Sequence, residues 1–144
     1  PYLKTLLSWG LVIGGYNNDF QLHHIITERE FAQLIIKGLK RRQASIFYEW
    51  VPGSLYTLSN KKKLTAEKTA MLLLAATSHK VLEMDPAQYL ENAFKLDLLP
   101  DNIKKQLLSC TYITNRLAYI IAGYFLEKYP PVPELKFYRG ENNG

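Results

Sequence analysis

Cysteine occurs once in these 144 residues, at Cys110, so neither an intramolecular disulfide nor a cysteine-built structural zinc site can form. That scarcity fits a reducing compartment, and a cytoplasmic location is expected. Histidine is nearly as scarce, with His23 and His24 adjacent and His79 far along the chain. Neighbouring residues point about 100° apart on a helix and to opposite faces of a strand, so the pair is a poor chelate even with Glu28 and Glu30 close by, and no metal site is expected. Long apolar runs are missing too. No window approaches the roughly 18 uninterrupted apolar residues of a membrane-crossing helix; residues 6–16 carry three glycines, and residues 117–126 are short and flanked by Arg116 and Glu127. Lys4 ahead of the first run gives it a faint signal-peptide look, without a small-residue cleavage site behind it. The chain opens at Pro1, a start that fits processing, excision from a longer chain or trimming.

Patterns that carry catalysis are also lacking. Cys110 has no histidine near it in sequence and lies on the apolar side of a helical pattern, which reads as an inert packed thiol. Ser45, Ser54, Ser59, Ser78 and Ser109 stand in no nucleophile-elbow context. Gly14-Gly15 lacks the further glycine and lysine of a phosphate-binding loop. Asn115-Arg116 is not followed by the histidine that a helical ribonuclease needs. Carboxylates are dispersed, and Asp97 to Asp101 reads as helix punctuation. No enzyme and no cofactor is expected.

What is present is helical pattern. A 47% hydrophobic, 22% charged chain suits a folded globular domain. Residues 3–13 read as a short helix closed by Gly14-Gly15, and residues 16–22 as a polar loop. Thr27 and Glu30 have capping-box spacing, and Phe31, Leu34, Ile35, Leu39 and Ile46 then recur near the 3.6-residue period. Between Ile46 and Ser59, aromatic and β-branched residues flank Pro52-Gly53-Ser54. A helix to about Trp50 followed by a turn is expected, with a short hairpin at 46–59 as the alternative, because Pro-Gly favours a type II turn that fits a tight hairpin poorly. Thr65 signals a second cap, and residues 66–83, apolar nearly all round, read as the central buried helix. Asp85-Pro86 opens another helix to about Leu96. Pro100-Asp101 opens a long pattern to Tyr129, with Ile103, Leu107, Cys110, Leu117, Ile121 and Phe125 on one face and a break near 109–114. Pro130, Pro131 and Pro133 stop it. The expectation is an all-α fold: one compact bundle of about five or six helices over residues 1–130, with 131–144 an extended or mobile tail.

Charge is unevenly placed along this bundle. Between Glu28 and Lys68 there are nine basic and four acidic side chains, which accounts for the formal net charge of +5, while the rest of the chain is neutral. Such asymmetry points to a polyanionic partner. Arg29, Lys37, Lys40 and Arg41 fall on the helix face opposite the apolar stripe, Arg42 follows, and Lys61, Lys62 and Lys63 form a loop triplet. A linear array of cations neutralises several phosphates and releases counterions, which gives affinity without reading sequence. Tyr48, Trp50 and Tyr56 lie between the clusters, as core residues or as base-stacking platforms. The bland reading of the lysines is a solvated helix face and loop.

Three functions follow from these features. The leading one is a non-enzymatic module that binds the backbone of RNA or DNA, as a small subunit of a larger nucleoprotein complex with other protein subunits as partners. Helical small subunits of RNA-guided effector complexes share its size, class and basic character, an analogy of fold level only. The second is a protein-interaction or regulatory module using Tyr112, Tyr119, Tyr124 or the tail around Phe137-Tyr138. The third is a winged-helix DNA reader with residues 46–59 as its wing.

Overall fold

The computed structural model describes residues 21–41, 61–77 and 81–128. The expected helix at 3–13, the helix-or-hairpin question at 46–59, Ile46, Arg42, Tyr48, Trp50, Tyr56, His79 and the tail lie outside the described residues. Within them the fold is all-α: five α-helices, three short 3-10 turns and no strands. The helices are α1 (Glu28–Arg41), α2 (Ala66–Ala76), α3 (Tyr89–Lys95), α4 (Lys104–Ser109) and α5 (Asn115–Lys128).

Helix α1 begins where the sequence signals it. The Glu30 amide donates to the Thr27 hydroxyl at 3.2 Å, and the Thr27 amide donates to the Glu30 carboxylate at 2.9 Å. This reciprocal box satisfies two amides that the helix cannot satisfy itself. Phe31, Ala32, Leu34, Ile35, Ile36, Gly38 and Leu39 are buried, whereas Glu30, Gln33 and Lys37 are exposed. At about 100° per residue, these exposed positions occupy an arc of only about 60°. Gly38 lets α1 approach α5, since a Cβ there would lie 2.2 Å from Leu126 Cδ1.

Helix α2 is the buried centre, with Thr69, Ala70, Leu73, Leu74 and Ala76 wholly inaccessible. It starts at Thr65, whose hydroxyl accepts from the Lys68 amide at 3.1 Å. It is shorter than expected, ending at Ala76 instead of Glu83. Thr77 caps it: its hydroxyl donates to the carbonyls of Leu73 and Leu74, and its amide donates to the same two oxygens. Threonine hydroxyls compete for backbone groups in this way, and a separate 3-10 turn at Val81–Glu83 follows.

Asp85 caps the turn Pro86–Gln88 through the Ala87 amide at 3.1 Å, with proline at the first position, and α3 packs extensively on α2. Asp97 follows α3 in the left-handed region, φ 62°. The Leu98 amide reaches Ala93 O and the Asp97 amide reaches Phe94 O, a Schellman closure that ordinarily favours glycine. The expected break near 109–114 separates α4 from α5. Ile103, Leu107, Leu117, Ile121 and Phe125 are buried as the pattern required. Cys110 is extended rather than helical, and only half-buried.

Candidate nucleic-acid interface

Three helices begin at one point. Each is preceded by an apolar residue and a threonine: Ile26-Thr27 before α1, Leu64-Thr65 before α2, Ile113-Thr114 before α5. The three apolar residues form a closed ring of backbone hydrogen bonds. Ile26 N–H donates to Ile113 O at 3.0 Å, Ile113 N–H to Leu64 O at 2.9 Å, and Leu64 N–H to Ile26 O at 2.9 Å. All three residues are buried, so each amide requires its partner. Thr114 caps α5 through the Leu117 amide at 3.3 Å, completing the set.

This ring fixes the lysine triplet. Glu28 N–H donates to Lys62 O at 2.9 Å, and Thr27 pairs with Lys63 in an isolated antiparallel bridge. Lys61, Lys62 and Lys63 are all exposed, on a backbone tied to the start of α1. Their neighbours across the ring come from residues 110–116. Lys63 Nζ lies 5.5 Å from the centroid of the Tyr112 ring, within cation–π range, and Tyr112 is 41% exposed. Arg116, on the first turn of α5, is exposed. Beside them is a hollow of about 250 Å³ lined by Gln106, Ser109, Cys110, Tyr112, Thr114, Arg116 and Leu117. Burial pushes the Cys110 thiol above its ordinary pKa.

The other basic residues are placed differently. Arg29 is partly buried, Lys37 is exposed, and Lys40 and Arg41 belong to the last turn of α1. At 1.5 Å per residue, the 37–41 group stands about 14–20 Å along α1 from the triplet. The cations thus form two groups at opposite ends of one helix. Acidic first-turn residues, Glu28 and Glu30 on α1 and Glu67 on α2, answer two of the helix dipoles; α5 has none. The first amides of α5 are taken by the carbonyls of His24 and Leu22 and by Thr114. Anion attraction here therefore depends on side chains rather than on a nest of open amides. Neither Tyr112 as a neighbour of Lys63 nor Arg116 as part of the surface was legible from charge clustering. The thrice-repeated apolar-threonine pair is the one sequence signal that could have joined the segments.

His23 and His24 are exposed, and among the described residues no three His, Cys, Asp or Glu side chains gather to hold a metal ion. Also among them, no helix is long and apolar enough to cross a membrane. Of the tyrosines suited to a protein interface, Tyr119 is half-buried against the core, and Tyr124 hydrogen-bonds to Asp97. A second hollow, about 660 Å³, lies against α3 and α4 and is lined by Leu90, Phe94 and Leu108 together with Glu91, Lys95, Asp101 and Lys104. No family model, curated protein or solved structure matches the chain.

Proposed function

We propose that this protein is a non-enzymatic nucleic-acid-binding module that grips the phosphate backbone through Lys61, Lys62 and Lys63, with Lys37, Lys40, Arg41 and Arg42 as a second group of contacts. The observation that carries the reading is the exposed triplet on a backbone held by the Ile26–Leu64–Ile113 ring, with Arg116 and the Lys63–Tyr112 pair at its side. Holding the lysine backbone in place reduces the ordering cost of binding. Three adjacent cations then displace several counterions at once. The two cation groups, about 14–20 Å apart, span about four to six steps of a duplex strand at 3.4 Å per step. Such a module works in the cytoplasm as one subunit of a nucleoprotein assembly.

Titrating the full chain into labelled single- and double-stranded oligonucleotides at several salt concentrations tests this. Binding that weakens steeply with salt supports it; binding that is absent, or flat with salt, refutes it. A second reading, a protein-interaction module, is favoured by the α3–α4 hollow, whose rim includes Leu108 at 63% exposure. Under that reading the chain binds no oligonucleotide, and Leu108→Lys abolishes capture of a protein partner.

A further inference from the structure

We propose that the hollow beside Tyr112 receives one unpaired nucleobase, so that single-stranded nucleic acid is preferred over duplex. The inference rests on the reading of the lysine triplet as a phosphate contact and assigns its substrate class.

Its support is the meeting of two segments far apart in sequence, residues 106–117 and the lysine triplet. Tyr112 is an exposed aromatic ring that also lines the hollow, and Lys63 sits over the ring without lining the hollow. One face of the ring is thus occupied by a cation, while the other can take a base, a stacking arrangement that tolerates any base because each has a π-face. The hollow, about 250 Å³, is smaller than the roughly 300–1,000 Å³ typical of pockets that enclose a whole small molecule. It suits a single flat ring. Its wall supplies the Gln106 side-chain amide, which can both donate and accept, the Ser109 hydroxyl, which donates to the Gln106 carbonyl and can accept, the Thr114 hydroxyl, which accepts from the Leu117 amide and can donate, and the Arg116 guanidinium, which donates. Arg116 in the lining and Lys63 over the Tyr112 ring, both exposed, supply positive charge for the flanking phosphates. A base paired inside a duplex cannot enter the hollow, whereas an unstacked base on a single strand can.

The test uses the full chain and a fluorescent oligothymidylate of about 15 nucleotides, within the usual site-size range, beside a duplex of equal length. The expected results are tighter binding to the single strand and, for Tyr112→Ala, a loss of about 5- to 150-fold on the single strand with a smaller loss on the duplex, where only the ring beside Lys63 is removed. Tyr112→Phe retains the affinity. Alkylation of Cys110, the chain's single thiol, is slowed by the oligothymidylate and not by the duplex. Equal affinity for both probes with no effect of Tyr112→Ala, while replacing Lys61, Lys62 and Lys63 by alanine still weakens binding and flattens its salt dependence, overturns this inference and leaves the phosphate-contact reading standing. Absence of binding to either probe overturns both.

Discussion

Replacing Gly38 by alanine puts a methyl group where Leu126 already stands. The new carbon would lie 2.2 Å from Leu126 Cδ1, 2.8 Å from Cδ2 and 3.0 Å from Cγ, against an ordinary carbon–carbon contact of about 3.5–4.0 Å. Leu126 is wholly buried among core residues of the bundle, so it cannot retreat without moving its neighbours. Alanine in a helix interior gains about 1 kcal/mol over glycine, whereas overpacking costs typically 1–3 kcal/mol and sometimes more. The expected net is a destabilisation of up to about 2 kcal/mol, read as a lower urea midpoint by circular dichroism at unchanged slope. The sign should reverse once Leu126 is shortened. Leu126→Ala alone costs about 2–5 kcal/mol, and adding Gly38→Ala to it should recover up to about 1 kcal/mol, because the clash is gone and the propensity gain remains. A Gly38→Ala protein more stable than the parent would show that α1 and α5 do not meet at this point.

Other perturbations have equally definite outcomes. Thr27→Ala, Thr65→Ala and Thr114→Ala should each cost about 0.5–2 kcal/mol by thermal or urea unfolding, and serine should restore most of the loss at each site. Combinations should depart from additivity, because the three caps share one hydrogen-bonded ring. The Asp97 carboxyl is held below its ordinary pKa, first by its hydrogen bond with Lys128 and then by that with Tyr124. A carboxylate with a lowered folded pKa contributes stability above its unfolded pKa of about 3.9 and loses it as the pH falls through the folded value. Urea midpoints measured downward from pH 6 should therefore fall less steeply for Asp97→Asn than for the parent. A parallel pair of curves would remove Asp97 from the acid response.

The parts of this fold that are legible in sequence are those decided within a few residues. Thr27 with Glu30, Thr65 three residues before Lys68, and Asp85 before Pro86 are caps because a side chain reaches an amide only two or three positions away. The apolar period of Phe31, Leu34, Ile35 and Leu39 named the buried face for the same local reason. The length of α2 was overestimated because its apolar run hides the backbone competition made by Thr77. The close approach of Gly38 to Leu126 depends on which segments the chain brings together, and no local pattern encodes that; for the ring of Ile26, Leu64 and Ile113 the one local trace is the repeated apolar-threonine pair, which does not say how the three segments pair. The site divides along the same line. Lys61 to Lys63 stand out by charge alone, whereas Tyr112 and Arg116 join them only through backbone pairing between residues far apart in sequence.

That pairing makes the lysine triplet the centre of the functional account, and the salt dependence of binding tests it most directly. Single-strand affinity measured between about 50 and 200 mM salt should fall linearly on a log–log plot, with a slope of about 0.7 per phosphate neutralised. Replacing Lys61, Lys62 and Lys63 by alanine should flatten that slope by about 2, since three contacts are lost, while Thr27-capped helicity stays intact by circular dichroism. An unchanged slope in the triple variant would contradict the account.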